Sequence, residues 1–231
     1  MIREMVRRAG GTKAAAEVCG AVVVAHGGRS VSTQPVTSLQ PPVLRMVPLA
    51  RALRRALRGS GVVVCRPRYQ LRGWNGELAS PVSDLSGVLD EVSARFGGVP
   101  VVLFGHSMGA RAALRVAGHP AVSAVAGLAP WLPAGEPVDQ LAGRRILLAH
   151  GTADHVTNPA DTWAYAERAR SVTEVAAIEI AGADHAMLRR ARLWHRMAAE
   201  FSCLTLGLPA RTAEVTEAFA EAAAGQHRTL A

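Results

Sequence analysis

Lysine is almost missing from this chain. Of its 26 basic residues in 231, only Lys13 is not arginine. Aromatic residues are scarce too, at 4%. They do not interleave with the arginines as base-stacking platforms would. The net charge of +8 raises polyanions as partners. The spacing of the charges opposes that reading. Arg51, Arg54, Arg55 and Arg58 recur on one helical face, opposite Met46, Leu49, Leu53 and Leu57. Arg189, Arg192 and Arg196 repeat the pattern. These are solvated faces of amphipathic helices, and no nucleic-acid partner is expected.

Cysteine is also sparse. Cys19, Cys65 and Cys203 lie far apart and none belongs to a CxxC pair. A disulfide framework and a zinc ribbon are both disfavoured, and a reducing cytoplasm suits the composition. No stretch of about 18 uncharged apolar residues is present, so no membrane span is expected. The N-terminal stretch is basic and then apolar, in the outline of a signal peptide. Glu4 and Glu17 interrupt it, and no clean cleavage site follows. The apolar run at 21–25 therefore reads as a core strand. Gly 22 and Pro 13 are too few and too scattered for a low-complexity chain. Neither an internal repeat nor a clear linker occurs.

What remains is a chain with 49% hydrophobic and 19% charged residues, enough for one sizeable core. Short apolar runs at 21–25, 62–65, 99–104, 122–128, 146–149 and 175–180 read as strands. Between them, helical patterns fall near 45–58, 80–96, 108–117 and 158–170. Two more follow at 186–201 and 212–224, the last ended by Gly225. Continuous apolar strands alternating with helices predict an α/β fold. Its mostly parallel central sheet has about six strands, with helices on both faces. The expected organisation is a single domain over 1–231. Its core is about 20–202, with a C-terminal helical appendage at about 210–226.

Parallel strands with right-handed crossovers end on one edge, where such sheets bind ligands. The strand ends are therefore the places to inspect. They carry His26-Gly27-Gly28, then Gly105-His106-Ser107-Met108-Gly109, then Gly151-Thr152-Ala153-Asp154, then Gly182-Ala183-Asp184-His185. A G-x-S-x-G string alone is weak. Here it sits between an apolar strand and an Ala-rich helix, the context of a nucleophile elbow. Capping of that helix is the plainer role for Ser107. An ordinary loop carboxylate is the plainer one for Asp154, and a surface histidine for His185.

In these residues and their order the chain resembles the α/β-hydrolase family. GHSMG matches the family's elbow, HGG its oxyanion strand end, and Asp154 and His185 its later acid and base. The resemblance spans about 20–202. It implies a catalytic triad with Ser107 as nucleophile, His185 as general base and Asp154 orienting the imidazole. The amides of Gly28 and Met108 would form the oxyanion hole, leaving the Met108 side chain free to line a pocket. It also implies a carboxylic ester or thioester as small-molecule substrate, an acyl-enzyme intermediate, and no metal or cofactor.

Asp184 competes with Asp154 as the acid, but fits better as N-cap of a helix beginning at Ala186. His106 reads as packing, His150 as a hydrogen-bonded structural residue, and His155 as mouth or solvated loop. Cys65 reads as core, and His119, His195 and His227 as surface or helix residues. Arg29, Trp74 and Trp131 are the substrate-side candidates, with core cover as the other role for the tryptophans. Only 131–143 follows the fourth strand end, too little for a cap, so an open, lidless site is expected. The family's first two strands look missing or reduced. Other readings stay open: a non-catalytic binding protein on the same fold, or an acyltransferase or amidase. The chain is expected as a monomer, or as a homodimer through its last helix.

Overall fold

The computed structural model describes residues 18–223 and 228–230. The readings that concern Glu4, Lys13, Glu17, Gly225 and His227 lie outside the described residues. The strands are β1 (Gly20–Ala25), β2 (Val62–Cys65), β3 (Val101–His106), β4 (Val122–Leu128), β5 (Arg145–Gly151), β6 (Glu174–Ile180) and β7 (Arg228–Leu230). All are parallel, in the order β2-β1-β3-β4-β5-β6-β7. Among the described residues the sheet therefore has seven strands where about six were expected. The added strand, Arg-Thr-Leu, is too short and too polar to show as an apolar run. Pairing with β6 alone defines it.

Six described helices cover the sheet: α1 (Pro41–Ala56), α2 (Ser80–Phe96), α3 (Met108–Arg115), α4 (Pro159–Ala169), α5 (Ala191–Thr205) and α6 (Glu214–Ala223). Successive side chains of a strand point to opposite faces. Val23, Ala25 and Leu103 thus pack with Leu85 and Val88 of α2, Ala112 of α3 and Tyr165 of α4. Val22, Val24 and Phe104 pack with Leu49 and Leu53 of α1, Trp194 and Phe201 of α5, and Val215 of α6. Cys65 is buried at the end of β2, where desolvation pushes its thiol up to about 12. It is core, as its apolar strand implied. Arg51, Arg54, Arg55, Arg58, Arg192 and Arg196 are all exposed. Among the described residues, no helix is long and apolar enough to cross a membrane.

Two helix starts differ from expectation. Helix α1 begins four residues before Arg45, at Pro41-Pro42. Amides of a first turn have no intrahelical acceptor, so proline loses nothing there. Helix α5 begins at Ala191 and not at Ala186. Asp184 does cap backbone, but of a separate turn. Its Oδ1 accepts the amides of Leu188 at 3.1 Å and Arg189 at 3.4 Å. That turn then closes through Arg190 at φ 60°.

The chain runs from β1 outward to β2 and then returns to the other side of β1 as β3. The crevice beyond the ends of β1 and β3 is therefore the switch point of the sheet. Gly27-Gly28 and Ser107 lie at those two ends.

Candidate active site

The elbow is built by backbone crowding. Ser107, between β3 and α3, is held at φ 54°, ψ −120°, a conformation that costs an L-residue about 1–3 kcal/mol. Its N–H donates to Leu128 O at 3.1 Å, and its carbonyl accepts the Ala110 amide at 3.0 Å. A Cβ on Gly105 would stand 2.3 Å from Gly109 O, and one on Gly109 2.4 Å from His26 O. Only glycine lets strand, helix and the neighbouring strand end meet this closely. Ser107 is 9% exposed.

Met108 opens α3, so its amide is one of those without an intrahelical acceptor. Gly28 lies beside it: a Cβ there would fall 2.3 Å from Met108 Cε. This contact corrects the expectation for the Met108 side chain. It is buried, with its methyl end against Gly28.

The far side of the crevice carries the titratable residues. Asp154 follows β5, with its side chain fully buried. Its Oδ1 accepts the amides of Val156 at 2.8 Å and Thr157 at 3.0 Å. Its Oδ2 accepts from His185 Nδ1 at 2.8 Å, Thr157 Oγ1 at 2.9 Å and His150 Nε2 at 3.0 Å. Burial works to raise this carboxyl. The Thr157 amide, His185 and the Val156 amide outweigh burial and hold it at about 2.

A pKa depressed on folding stabilises the native state above the unfolded value of 3.8, and that stability is lost as pH falls through about 2. Urea unfolding should therefore find the gap between wild type and Asp154→Asn about 2 kcal/mol smaller at pH 2 than at pH 7. An equal gap at both pH values would contradict this account of Asp154.

An ionised carboxylate only accepts, so His185 donates from Nδ1. In its neutral form it keeps the Nε2 lone pair for another proton. His150 is oriented by the same logic. Its Nε2–H faces Asp154, so Nδ1 accepts the Thr162 hydroxyl at 2.7 Å. Burial lowers the His150 pKa and keeps it neutral. His106 donates from Nε2 to the His185 carbonyl at 2.7 Å, and the two rings stand 4.8 Å apart. Burial drives the His106 pKa to about 3, so it props the His185 segment and is no base at neutral pH. His155 is exposed.

The sequence pointed to Ser107, Asp154 and His185, and all three lie at the strand-end edge. Asp154 and His185 are hydrogen-bonded. The His185 ring packs on His106, the residue before Ser107. Thr157 was missed, because one threonine in a loop carries no pattern of its own.

The substrate-side candidates divide. Arg29 is exposed and is tied by its backbone, donating to Arg72 O at 2.8 Å and accepting from Trp74 N at 2.9 Å. Trp74 and Trp131 come together edge to face, 6.2 Å apart. Trp74 is buried, as core cover would be, whereas Trp131 is half-buried. Arg111 and Arg115, both held by the buried Glu136, join them and were not singled out by the sequence.

Residues 57–145 match the family described as serine aminopeptidase, S33. No curated protein sequence matches the chain. Solved structures match it over most of its length. Est1E from Butyrivibrio proteoclasticus aligns with TM-score 0.60 at 16% identity, covering 83% of this chain and 90% of its own. A serine hydrolase without lid from Xanthomonas campestris aligns with TM-score 0.58 at 21% identity, over 84% and 85%. The chain has the α/β-hydrolase fold. A thermophilic esterase from Thermogutta terrifontis, solved with butyrate bound, is similar at TM-score 0.61 and 16% identity, over 87% and 88%.

In this chain little stands over the crevice in the position of a cap. Between β4 and β5 stand only a loop and one 3-10 turn, Asp139–Leu141.

Proposed function

We propose that the protein is a serine hydrolase that cleaves carboxylic ester or thioester bonds through an acyl-enzyme. The observation that carries this reading is the fully buried Asp154 carboxylate bonded to His185 Nδ1, at the same sheet edge as the strained Ser107 elbow.

In this reading Ser107 Oγ attacks the substrate carbonyl while His185 Nε2 takes its proton. Asp154 stabilises the imidazolium and stays ionised throughout. The carbonyl oxygen becomes an oxyanion held by the amides of Met108 and Gly28. Each such donor is worth about 10²–10³ in rate. Collapse expels the alcohol or thiol, which receives the proton from His185. Water then repeats the sequence on the acyl-enzyme and releases the acid. No step requires a metal or cofactor. A small-molecule ester can reach the crevice because no cap covers it among the described residues.

Intact mass after incubation with a fluorophosphonate tests the reading. The expected result is one adduct on the native protein and none on Ser107→Ala. A folded native protein that takes no adduct would overturn it and leave a ligand-binding role. The partial match to a serine aminopeptidase family favours amides as a second substrate class. Turnover of matched ester, thioester and anilide substrates separates the classes.

A further inference from the structure

A cleft of about 330 Å³ opens beside the elbow, between Ser30 and Val31, Trp74, Ala79, Arg115 and Trp131. Two of its walls are tied to the nucleophile residue itself. The Ser107 carbonyl accepts the amides of both Arg111 and Trp131, each at 3.3 Å. A third wall begins two residues beyond Gly28.

Its chemistry is unusual for a merely structural corner. The Arg111 guanidinium lies 3.8 Å from the Trp74 ring centre and 4.7 Å from that of Trp131. The Arg115 guanidinium lies 5.9 Å from Trp74. Glu136, 4% exposed, accepts from Nε of both arginines. Two guanidinium charges against one carboxylate leave a net +1, with the Arg111 side chain 12% exposed and that of Arg115 34% exposed. Arg168 adds a further cation close by, donating from Nη1 to the Glu136 carbonyl at 2.8 Å. The opposing charge is Glu77, which lines the mouth, is exposed, and pairs with neither arginine among the described residues.

Each arginine spends Nε and Nη2 on Glu136, and the Nη1 of each has no acceptor among the described residues. Excess guanidinium charge on a cleft wall favours an anionic ligand, and carboxylate is the matching geometry. The indole walls favour a flat, conjugated body. The volume suits a single ring carrying one such group.

We propose that this cleft is a specificity subsite for a planar carboxylate, such as an arylcarboxylate group carried by the ester substrate. The proposal rests on the serine-hydrolase reading for its place in catalysis, but its ligand can be tested without turnover.

Benzoate is the probe, with benzyl alcohol as its neutral counterpart. Binding is read from tryptophan fluorescence and from competitive inhibition of 4-nitrophenyl acetate hydrolysis. Benzoate should bind at least about tenfold tighter than benzyl alcohol, and Arg115→Gln should remove most of that preference. The Arg115 side chain is 34% exposed, which makes the replacement tolerable to the fold. A second variant reads the opposite direction. Glu77→Gln, at an exposed site, should tighten benzoate binding by about twofold and leave benzyl alcohol unchanged.

Equal binding of the two probes, or benzoate affinity indifferent to both variants, would overturn the subsite. If benzoate quenches fluorescence as expected while no ester is cleaved and no fluorophosphonate adduct forms, the hydrolase reading fails and the anion site stands.

Discussion

Ser107→Ala should lower ester turnover by about 10⁶ while leaving the melting temperature within about a degree of wild type. In the proposed reading Ser107 is the nucleophile, and its loss removes the covalent path. Residual rate then reflects only the oxyanion amides and substrate binding, which typically retain about 10³ over water. Stability should hold, because alanine is forced into the same φ of 54° as serine. Glycine at this position separates the two effects. It is equally inactive, but it relieves the positive φ, worth about 1–3 kcal/mol, at an entropic cost of about 0.5–1 kcal/mol. Ser107→Gly should therefore melt about 2–4 °C above wild type. Ester hydrolysis at the wild-type rate by Ser107→Ala would remove Ser107 from the reaction.

Gly105→Ala should abolish the fold or cost more than about 4 kcal/mol, a size reserved for backbone collisions and broken cores. The added carbon would meet Gly109 O at 2.3 Å and the Ala110 Cα and N at 2.4 Å. These are backbone atoms of the first turn of α3, so relief requires lifting the helix off β3. The effect should spread to Ser107, whose conformation depends on that approach. Gly87→Ala is the matched control. It lies on the exposed face of α2 with nothing within 4 Å of the new carbon. There alanine should stabilise by up to about 1 kcal/mol. Comparable melting curves for the two variants would contradict the crowding account of the elbow.

Much of this architecture could be read from the chain because its signals are local. The run VVV in β1 and the run VVLF in β3 are apolar on both sheet faces, as buried parallel strands must be. Ser107, Asp154 and His185 stand beside glycine turns just after such runs, so their common edge follows from topology. The strand β7 could not be read in this way, because Arg228, Thr229 and Leu230 are a strand only through their neighbour. Helix α5 was read five residues too early because Ala186 to Arg190 has helical composition. Backbone capping by Asp184 and the positive φ at Met187 and Arg190 decide otherwise. The Trp74–Arg111–Glu136 assembly draws on three segments far apart in sequence. Arg111 and Arg115 look like one more solvated pair, and Glu136 sits in a loop without periodicity. Only the fold brings that charge inside.

The strand β7 protects more than it builds. Its three residues cover the outer side of β6, and Leu230 O takes the Ala181 amide at 2.8 Å. Arg228 anchors it through ion pairs with Glu217 and Glu221 on α6. Stripped of it, the strand carrying Ile178 and Ile180 would become the rim of the sheet. A bare apolar rim is a template on which a second copy can pair, and such pairing propagates into aggregates. Removal of these three residues should therefore show first as aggregation at high concentration, measured by light scattering, and less in turnover.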